Sequence, residues 1–165
     1  MIRGVLPRDG IFIEELCQVG FASNFGFEIY APRTYITTGY QGSLGYGFPT
    51  ALGVKVGMPD RAVLSIIGDG GFLFGMPELA SAVQQDIGVI TVVFNNSSYA
   101  NVRRDQQLFY NGHVIGAELE NPDIVMLAES FGADAWRVDS PESLKPVLER
   151  AIDNNRPAVI DVTIE

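Results

Sequence analysis

Two stretches decide the fold of this chain: RAVLSIIGDGG at residues 61–71 and VITVVFNNSS at residues 89–98. In each stretch an apolar run rich in β-branched residues ends abruptly in glycine or polar residues. Apolar runs of this kind are typical of strands that are covered on both faces of a parallel sheet. The two stretches therefore predict buried strands, which we place at Ala62–Ile67 and Val89–Phe94.

Segments with helical spacing of apolar residues alternate with strand candidates along the rest of the chain. The predicted strands are Thr34–Thr37, Ala62–Ile67, Val89–Phe94, Ala135–Val138 and Ala158–Ile164. The predicted helices are Phe12–Val19, Phe48–Val56, Pro77–Gln85, Pro122–Phe131 and Glu142–Asp153. Strands joined by single helices form right-handed crossovers. We therefore predict a doubly wound α/β fold, a mostly parallel sheet with helices on both faces, as a single domain over residues 1–165.

Composition and charge exclude several classes of protein. Hydrophobic residues make up 47% of the chain and charged residues 19%, which is typical of a globular protein. A net charge of −9 opposes nucleic-acid binding, and the apolar runs are too short to span a membrane. The single cysteine, Cys17, excludes an internal disulfide and a cysteine-ligated metal centre. With an N-terminal segment that does not resemble a signal peptide, this favours a cytoplasmic protein.

Polar groups follow the two most apolar strands, at the end of a doubly wound sheet where ligands bind. Asp69 follows the first strand and is flanked by Gly68, Gly70 and Gly71, and the pair Asn95-Asn96 follows the second. Glycines allow backbone N–H groups to approach a ligand closely. Carboxylate, amide and backbone oxygens together suit Mg²⁺, with phosphate and water completing the shell. The simpler interpretation is that Asp69 caps a turn and the asparagines close a loop.

The motif GDG at residues 68–70, followed after 24 residues by NN at 95–96, resembles the fingerprint of thiamine diphosphate enzymes. Together with the glycine-rich loop Gly39–Pro49, it resembles the C-terminal, diphosphate-binding domain of the acetolactate synthase and benzoylformate decarboxylase group over essentially the whole chain. The resemblance implies thiamine diphosphate and Mg²⁺ as cofactors. It implies that the metal ligands are Asp69, the side chain of Asn96 and the carbonyl of Ser98. It places Gly68, Gly70, Gly71, Gly42, Leu44 and Tyr99 around the cofactor.

The same resemblance gives catalytic roles to two residues of the glycine-rich loop. Leu44 stands where the family has a bulky apolar residue that holds the two thiamine rings in a folded shape. The carbonyl of Gly42 stands at the position where, in the family, a backbone carbonyl accepts a hydrogen bond from the amino group of the aminopyrimidine. The folded cofactor then uses its own imine as the base, which is proximity catalysis within one molecule. The alternative is that Leu44 is a core residue in an ordinary turn.

The implied function is decarboxylation of a 2-oxo acid, or joining of its remainder to a second carbonyl compound. In this family a glutamate on a pyrimidine-binding domain is also required, and 165 residues leave no room for that domain. The chain is therefore expected to be a fragment, or one subunit of a two-chain enzyme such as sulfopyruvate decarboxylase. It is expected to self-associate, with the loop Tyr40–Phe48 as a candidate surface. A non-catalytic cofactor-binding or assembly module is the alternative from another class.

The sequence alone leaves the roles of several other residues open. Asp9–Phe12 is expected at a helix start where N–H groups meet the diphosphate, and Ser97–Asn121 is expected to be irregular. Cys17 is expected in the core and His113 in a solvated loop, although an acid–base role for His113 stays open. Arg103-Arg104-Asp105 is expected to be a solvated or interface cluster. Tyr40 and Gln41 stay open as substrate contacts.

Overall fold

The computed structural model describes residues 1–164, which form one six-stranded sheet with helices on both faces. The strands are β1 (Ile11–Glu14), β2 (Tyr35–Ile36), β3 (Val63–Gly68), β4 (Val89–Asn95), β5 (Asp134–Val138) and β6 (Ala158–Thr163). The helices are α1 (Ile2–Val5), α2 (Gln18–Gly26), α3 (Gly47–Gly57), α4 (Asp69–Gly75), α5 (Leu79–Gln84), α6 (Ala100–Phe109), α7 (Ile124–Phe131) and α8 (Pro141–Asn154). A 3₁₀ turn at Met76–Glu78 joins α4 to α5.

All strand pairs are parallel, and the strand order across the sheet is β2-β1-β3-β4-β6-β5. The chain moves outward from β1 to β2 and then returns to β3 on the other side of β1. This reversal creates a switch point between β1 and β3, and loops that leave neighbouring strands in opposite directions open a crevice there. The predicted doubly wound α/β fold is confirmed, with a sheet that is entirely parallel.

Each face of the sheet has its own apolar core. On one face α3, α4, α5 and α7 pack against alternate strand residues such as Ile13, Val63 and Val93. On the other face α1 and α8 pack against the intervening residues, including Leu64 and Ile160. Because β3 and β4 are covered on both sides, every one of their central residues must be able to lie in a core, and this explains why these residues are apolar except for the small Ser65 and Thr91.

Two predictions of secondary structure were wrong. The segment predicted as a helix at Phe12–Val19 is instead strand β1 followed by α2, which begins only at Gln18. The segment 97–121, predicted as irregular, contains the ten-residue helix α6. None of the residues of α6 is buried, so an apolar stripe facing a core is missing from its sequence.

The predicted start of the fourth helix at Pro122 lies two residues early. Asp123 caps α7, and its side chain accepts a hydrogen bond from the backbone N–H of Met126 at 3.0 Å. The last helix begins with a capping box between Ser140 and Ser143, as its sequence suggests. Among the residues described, no helix combines the length and the apolar character that crossing a bilayer requires.

Candidate functional site

A cleft of about 260 Å³ lies at the carboxyl ends of the central strands. Its walls come from the segments that follow β1, β3 and β4, with Ile164 after β6 at one side. The lining includes Leu16, Cys17, Gln18, Val19, Leu44, Gly68, Asp69, Gly70, Gly71, Asn96, Ser98 and Tyr99. The cleft therefore brings together all three residues predicted as metal ligands and five of the six predicted cofactor and catalytic residues. Gly42 is the exception.

Asp69 is the charged group of the cleft and is the first residue of α4. Only 2% of its surface is exposed, and burial raises the pKa of its carboxyl group above the ordinary value. Hydrogen bonds from the Asn121 side chain and from the N–H of Gly70 act in the opposite direction and lower the pKa. The carboxylate is thus shielded from water. It accepts hydrogen bonds from Asn121 and Gly70, and it also lines the cleft.

The loop after β4 places two further oxygen donors on the same cleft. The Asn96 amide oxygen accepts a hydrogen bond from the Ser98 hydroxyl at 3.2 Å. Ser98 pairs with Glu118 in an isolated antiparallel bridge, in which Tyr99 donates its N–H to Ala117 and Leu119 donates its N–H to Ser97. In such a pair the N–H and C=O of the central residue point away from the opposing segment.

The Ser98 carbonyl is therefore directed away from residues 117–119 and is free of that pairing. Ser97, just before it, has a φ of 53°, a left-handed conformation that is uncommon for a residue other than glycine. A carboxylate, an amide oxygen and a backbone carbonyl on one cleft form a donor set with the chemistry that Mg²⁺ prefers, so the residues fit this metal.

The glycines after β3 are required by close packing. A Cβ atom on Gly70 would lie 2.3 Å from the Tyr99 ring, and one on Gly71 would lie 2.0 Å from a carboxylate oxygen of Glu15. The absence of side chains lets Tyr99 and Glu15 lie directly against the first turn of α4. The same turn has backbone N–H groups without helical partners, since the first turn of any helix leaves its donors free.

Glu15 organises the other wall of the cleft, although its sequence context suggests a surface helix charge, and that interpretation is wrong. Its side chain is fully buried and accepts hydrogen bonds from the N–H of Gly45 at 2.9 Å and of Gly47 at 2.5 Å. Burial is the largest influence on this carboxyl group and raises its pKa, and these backbone bonds lower it. Glu15 thereby fastens the glycine-rich loop to the end of β1.

Leu44 lies on this fastened loop and is 39% exposed on the cleft, so the interpretation as a core residue is wrong. Gly42 has a φ of 60° and packs against Leu16, where an added Cβ would lie 2.8 Å from a side-chain carbon. Gly42 itself does not line the cleft, but the Leu16 side chain that it contacts does. Any role of the Gly42 carbonyl toward a cofactor stays a prediction.

The start of α2 forms a wall that the sequence did not predict. The expected helix start at Asp9–Phe12 was wrong, because residues 11–14 are strand β1. A second helix N-terminus at the cleft, besides that of α4, is that of α2, with Cys17 as its capping residue. The Cys17 sulfur accepts a hydrogen bond from the N–H of Gly20 at 3.2 Å, and burial raises the pKa of the thiol to about 11.

Cys17 is therefore a half-buried residue of the cleft wall and not a core residue, as was expected. A cysteine four residues after a short apolar run could have indicated this capping position. The signal was hidden because residues 12–19 also fit helical spacing.

The remaining candidates lie outside the cleft. His113 is exposed and lies with Phe109 and Tyr110 along a separate surface groove. Arg103 pairs with Glu118 at 3.7 Å and Arg104 pairs with Asp105 at 2.9 Å, all on the surface, as predicted for a solvated cluster. Tyr40 and Gln41 are exposed and do not line the cleft.

A parallel doubly wound sheet whose switch-point cleft combines one buried carboxylate, neutral oxygen donors and glycine turns defines the class of α/β domains that bind a ligand at the carboxyl ends of their strands. The model of one family, described as the C-terminal TPP binding domain of thiamine pyrophosphate enzymes, matches residues 17–162. The chain belongs to this family.

Relatives and solved structures agree with this assignment. A probable acetolactate synthase large subunit from Methanocaldococcus jannaschii is 41% identical over 140 residues, which are 84% of this chain and 24% of the relative. A sulfoacetaldehyde acetyltransferase from Castellaniella defragrans is 32% identical over 152 residues, 92% of this chain and 25% of the relative.

The structure of a thiamine diphosphate-dependent 4-hydroxybenzoylformate decarboxylase from Rhodococcus jostii RHA1 superposes with a TM-score of 0.91 at 29% identity. The match covers 99% of this chain and 31% of that one. The chain thus spans about a quarter of the length of the curated relatives it matches.

The buried Glu15 carboxyl gives a pH-dependent prediction. Because its pKa is raised in the folded chain above the ordinary value of 4.5, its contribution to stability is greatest below that pH and is lost as the pH rises through the folded pKa. Glu15→Gln does not ionise. We expect the free energy of unfolding of the wild type, minus that of the variant, to fall as the pH rises from 4.5 toward neutrality.

Urea denaturation across this pH range measures the difference. Glu129→Gln, at an exposed position of α7, is the control and should show a flat difference. A difference that grows with pH for Glu15→Gln would contradict the prediction, because the backbone bonds to the ionised carboxylate would then outweigh its burial.

Proposed function

We propose that this chain binds thiamine diphosphate through Mg²⁺, as the diphosphate-binding part of a 2-oxo-acid decarboxylase or carboligase. The observation that carries the proposal is the meeting of Asp69, Asn96 and Ser98 in one cleft, beside the glycine turn of α4 and the exposed side chain of Leu44. Membership of the thiamine pyrophosphate enzyme family supports the choice of cofactor.

The proposed metal ligands are the Asp69 carboxylate, the Asn96 amide oxygen and the Ser98 carbonyl. The proposed diphosphate contacts are backbone N–H groups at Gly70 and Gly71 and at the start of α2, since helix N-termini attract anions. The N–H of Gly70 also faces Asp69, and in α2 the N–H of Gly20 is bonded to the Cys17 sulfur, so the N–H of Gly71 is the less committed donor. Mg²⁺ would neutralise part of the combined negative charge of the Asp69 carboxylate and the diphosphate.

Thiamine diphosphate, when bound, supplies the nucleophilic carbon and the electron sink that cleavage next to a carbonyl group requires. The chain contributes binding, shape and exclusion of water. Leu44 offers an apolar side chain at the cleft, on a loop that Glu15 holds by two backbone hydrogen bonds. A rigid apolar support of this kind is what a cofactor held in a folded shape needs.

A pyrimidine-binding domain or subunit is the proposed partner of this chain, with a small 2-oxo acid as the substrate of the complete site. The two-chain arrangement of some sulfopyruvate decarboxylases is one form of this proposal, and a fusion in a longer polypeptide is the other. A cofactor-binding module without catalysis stays the alternative. A cytoplasmic location stays a prediction from the single cysteine.

Metal binding tests the assignment of the ligands. Asp69→Ala removes the only charged ligand, whereas Asn96→Ala removes a neutral one. We expect Asp69→Ala to weaken Mg²⁺-dependent thiamine diphosphate binding by more than about 100-fold, and Asn96→Ala by less, since loss of even an outer partner of a metal site typically costs 10–100-fold. Isothermal titration calorimetry measures both affinities.

Asp60→Ala, which removes an exposed aspartate in the turn after α3, is the matched control and should bind normally. If Asp69→Ala also binds with unchanged affinity, the metal assignment is wrong.

Self-association is expected from the apolar surface that the fold leaves uncovered. Tyr40 is fully exposed, as predicted for the loop Tyr40–Phe48, although Phe48 is buried. A larger patch is formed by α6 and the residues after it, where Phe109 and Tyr110 are exposed. Patches of this kind mark interaction sites.

Sedimentation velocity should show concentration-dependent association that Phe109→Ser weakens, and a monomer at all concentrations would contradict this.

Turnover by the chain alone should be low. Of the carboxylates near the metal loop, Glu118 pairs with Arg103, Asp123 caps α7 and pairs with Arg137, and Glu120 is exposed and does not line the cleft. Without an acid from a pyrimidine-binding partner, we expect CO₂ release from pyruvate, benzoylformate or sulfopyruvate to fall by about 10²–10⁴ relative to the assembled pair.

The assay compares the chain with saturating Mg²⁺ and thiamine diphosphate, with and without an added pyrimidine-binding domain. Asp69→Ala with the same partner is the control and should stay inactive. Rapid CO₂ release by the chain alone would show that one of its own carboxylates replaces the acid of the partner. Cofactor binding without CO₂ release, both with and without the partner, would favour the non-catalytic module.

A further inference from the structure

Asn121 lies behind the cleft, in the segment that runs past the loop after β4 toward α7. Its side-chain nitrogen Nδ2 donates one hydrogen bond to Oδ2 of Asp69 at 2.6 Å and another to Oδ1 of Asn95 at 3.1 Å. It does not line the cleft, so it contacts the proposed metal site only through these two residues. One amide nitrogen thereby joins the end of β3 to the end of β4.

The orientation of this amide is set by its neighbours. A side-chain amide nitrogen has two hydrogens, and both find acceptors here. The opposite orientation would place the amide oxygen against two other oxygens. In the observed orientation Oδ1 of Asn121 is buried and has no hydrogen-bond partner among residues 1–164. The polar interactions of this side chain are therefore directed entirely at Asp69 and Asn95.

Asn95 extends the connection away from the cleft. Its Nδ2 donates to Oδ1 of the buried Asp161 at 3.1 Å, and Oδ2 of Asp161 accepts from Nε of Arg137 at 3.0 Å. Arg137 also pairs with Asp123 at 3.0 Å, two residues after Asn121. The two asparagines of the NN motif thus face different ways, since Asn96 lies on the cleft and Asn95 is held from behind.

The backbone that carries Asn121 is fixed on both sides. Before it, Leu119 donates its N–H to the carbonyl of Ser97 at 2.8 Å, within the loop that holds the proposed ligands. After it, the contact between Asp123 and Arg137 holds the start of α7 against the sheet. Asn121 is therefore presented to Asp69 from a segment that cannot shift without breaking these contacts.

We propose that Asn121 is a positioning residue for the divalent metal: it holds the Asp69 carboxylate and, through Asn95, the base of the ligand loop in the arrangement that receives the ion. This inference rests on the proposed function, since it assumes that Asp69 and the loop bind the metal. A carboxylate oriented in advance by an outer hydrogen bond binds a metal more tightly, because less reorganisation accompanies binding.

The test replaces Asn121 by leucine, which has a similar shape and no donor. The matched control is Asn154→Leu, because Nδ2 of Asn154 also donates to an aspartate, Asp134, at 3.1 Å, but at the end of α8. The probe is Mn²⁺, followed by electron paramagnetic resonance in the presence of thiamine diphosphate. Titrations are made on the chain at a temperature where circular dichroism shows every variant to be folded.

We expect Asn121→Leu to weaken Mn²⁺ binding by about 10–100-fold, the usual effect of removing an outer hydrogen-bond partner of a metal ligand. Asn154→Leu should bind as the wild type does. A second measurement, thermal unfolding without metal, separates positioning from structure. A purely structural role would lower the unfolding temperature and leave the Mn²⁺ affinity of the folded chain unchanged, and that result would overturn the proposal.

Other outcomes are also decisive. If the wild type does not bind Mn²⁺ with thiamine diphosphate, the proposed function fails, and the role of Asn121 fails with it. If the wild type binds and Asn121→Leu binds equally, only the role of Asn121 fails. Should the leucine variant not fold, Asn121→Ser, which keeps one short donor in place of two, is tested instead. It should weaken binding in the same direction, and unchanged binding would overturn the proposal.

Discussion

The burial of Asp69 is the constraint on which the rest of the site depends. A carboxylate removed from water costs free energy unless hydrogen bonds or an opposite charge compensate for it. Here the protein supplies N–H groups, from the backbone of α4 and from Asn121, but no Lys or Arg forms an ion pair with Asp69 in the described residues. The protein groups therefore offset only part of the cost of burying this carboxylate. A positive charge on the side of the cleft would stabilise it further.

The sheet explains how so many polar groups can meet at one place without weakening the core. β3 and β4 are covered on both faces, so apart from the small buried hydroxyl residues Ser65 and Thr91 the polar residues of this region lie at the strand ends. Glu15 directly follows the neighbouring strand β1, and its carboxylate accepts hydrogen bonds from backbone donors of the glycine-rich loop. The apolar strands determine where along the sheet the polar residues begin. The glycines after β3 allow neighbouring side chains to approach α4 closely.

The sequence predicted those parts of the site whose pattern lies within one short segment. The buried strands, the GDG turn and the NN loop each have a local pattern, and the structure brings their residues to one cleft. The prediction failed at β1, because a four-residue strand followed by a helix leaves the same apolar spacing as one helix. It failed at α6, which has no buried face. Glu15 and Asn121 could not be found, since their partners lie 30 and 52 residues away in the chain.

These distances along the chain have a consequence for how the chain acquires its affinity for a ligand. The walls of the cleft come from residues near both ends, from Leu16 to Ile164, so the cleft is complete only when distant parts of the chain have come together. A ligand of this cleft can bind only molecules that have completed the parallel sheet, and it draws the folding equilibrium toward them. At a ligand concentration 100 times the dissociation constant this linkage amounts to about 2.7 kcal/mol. Cofactor supply would then govern the abundance of the folded chain as well as its chemistry.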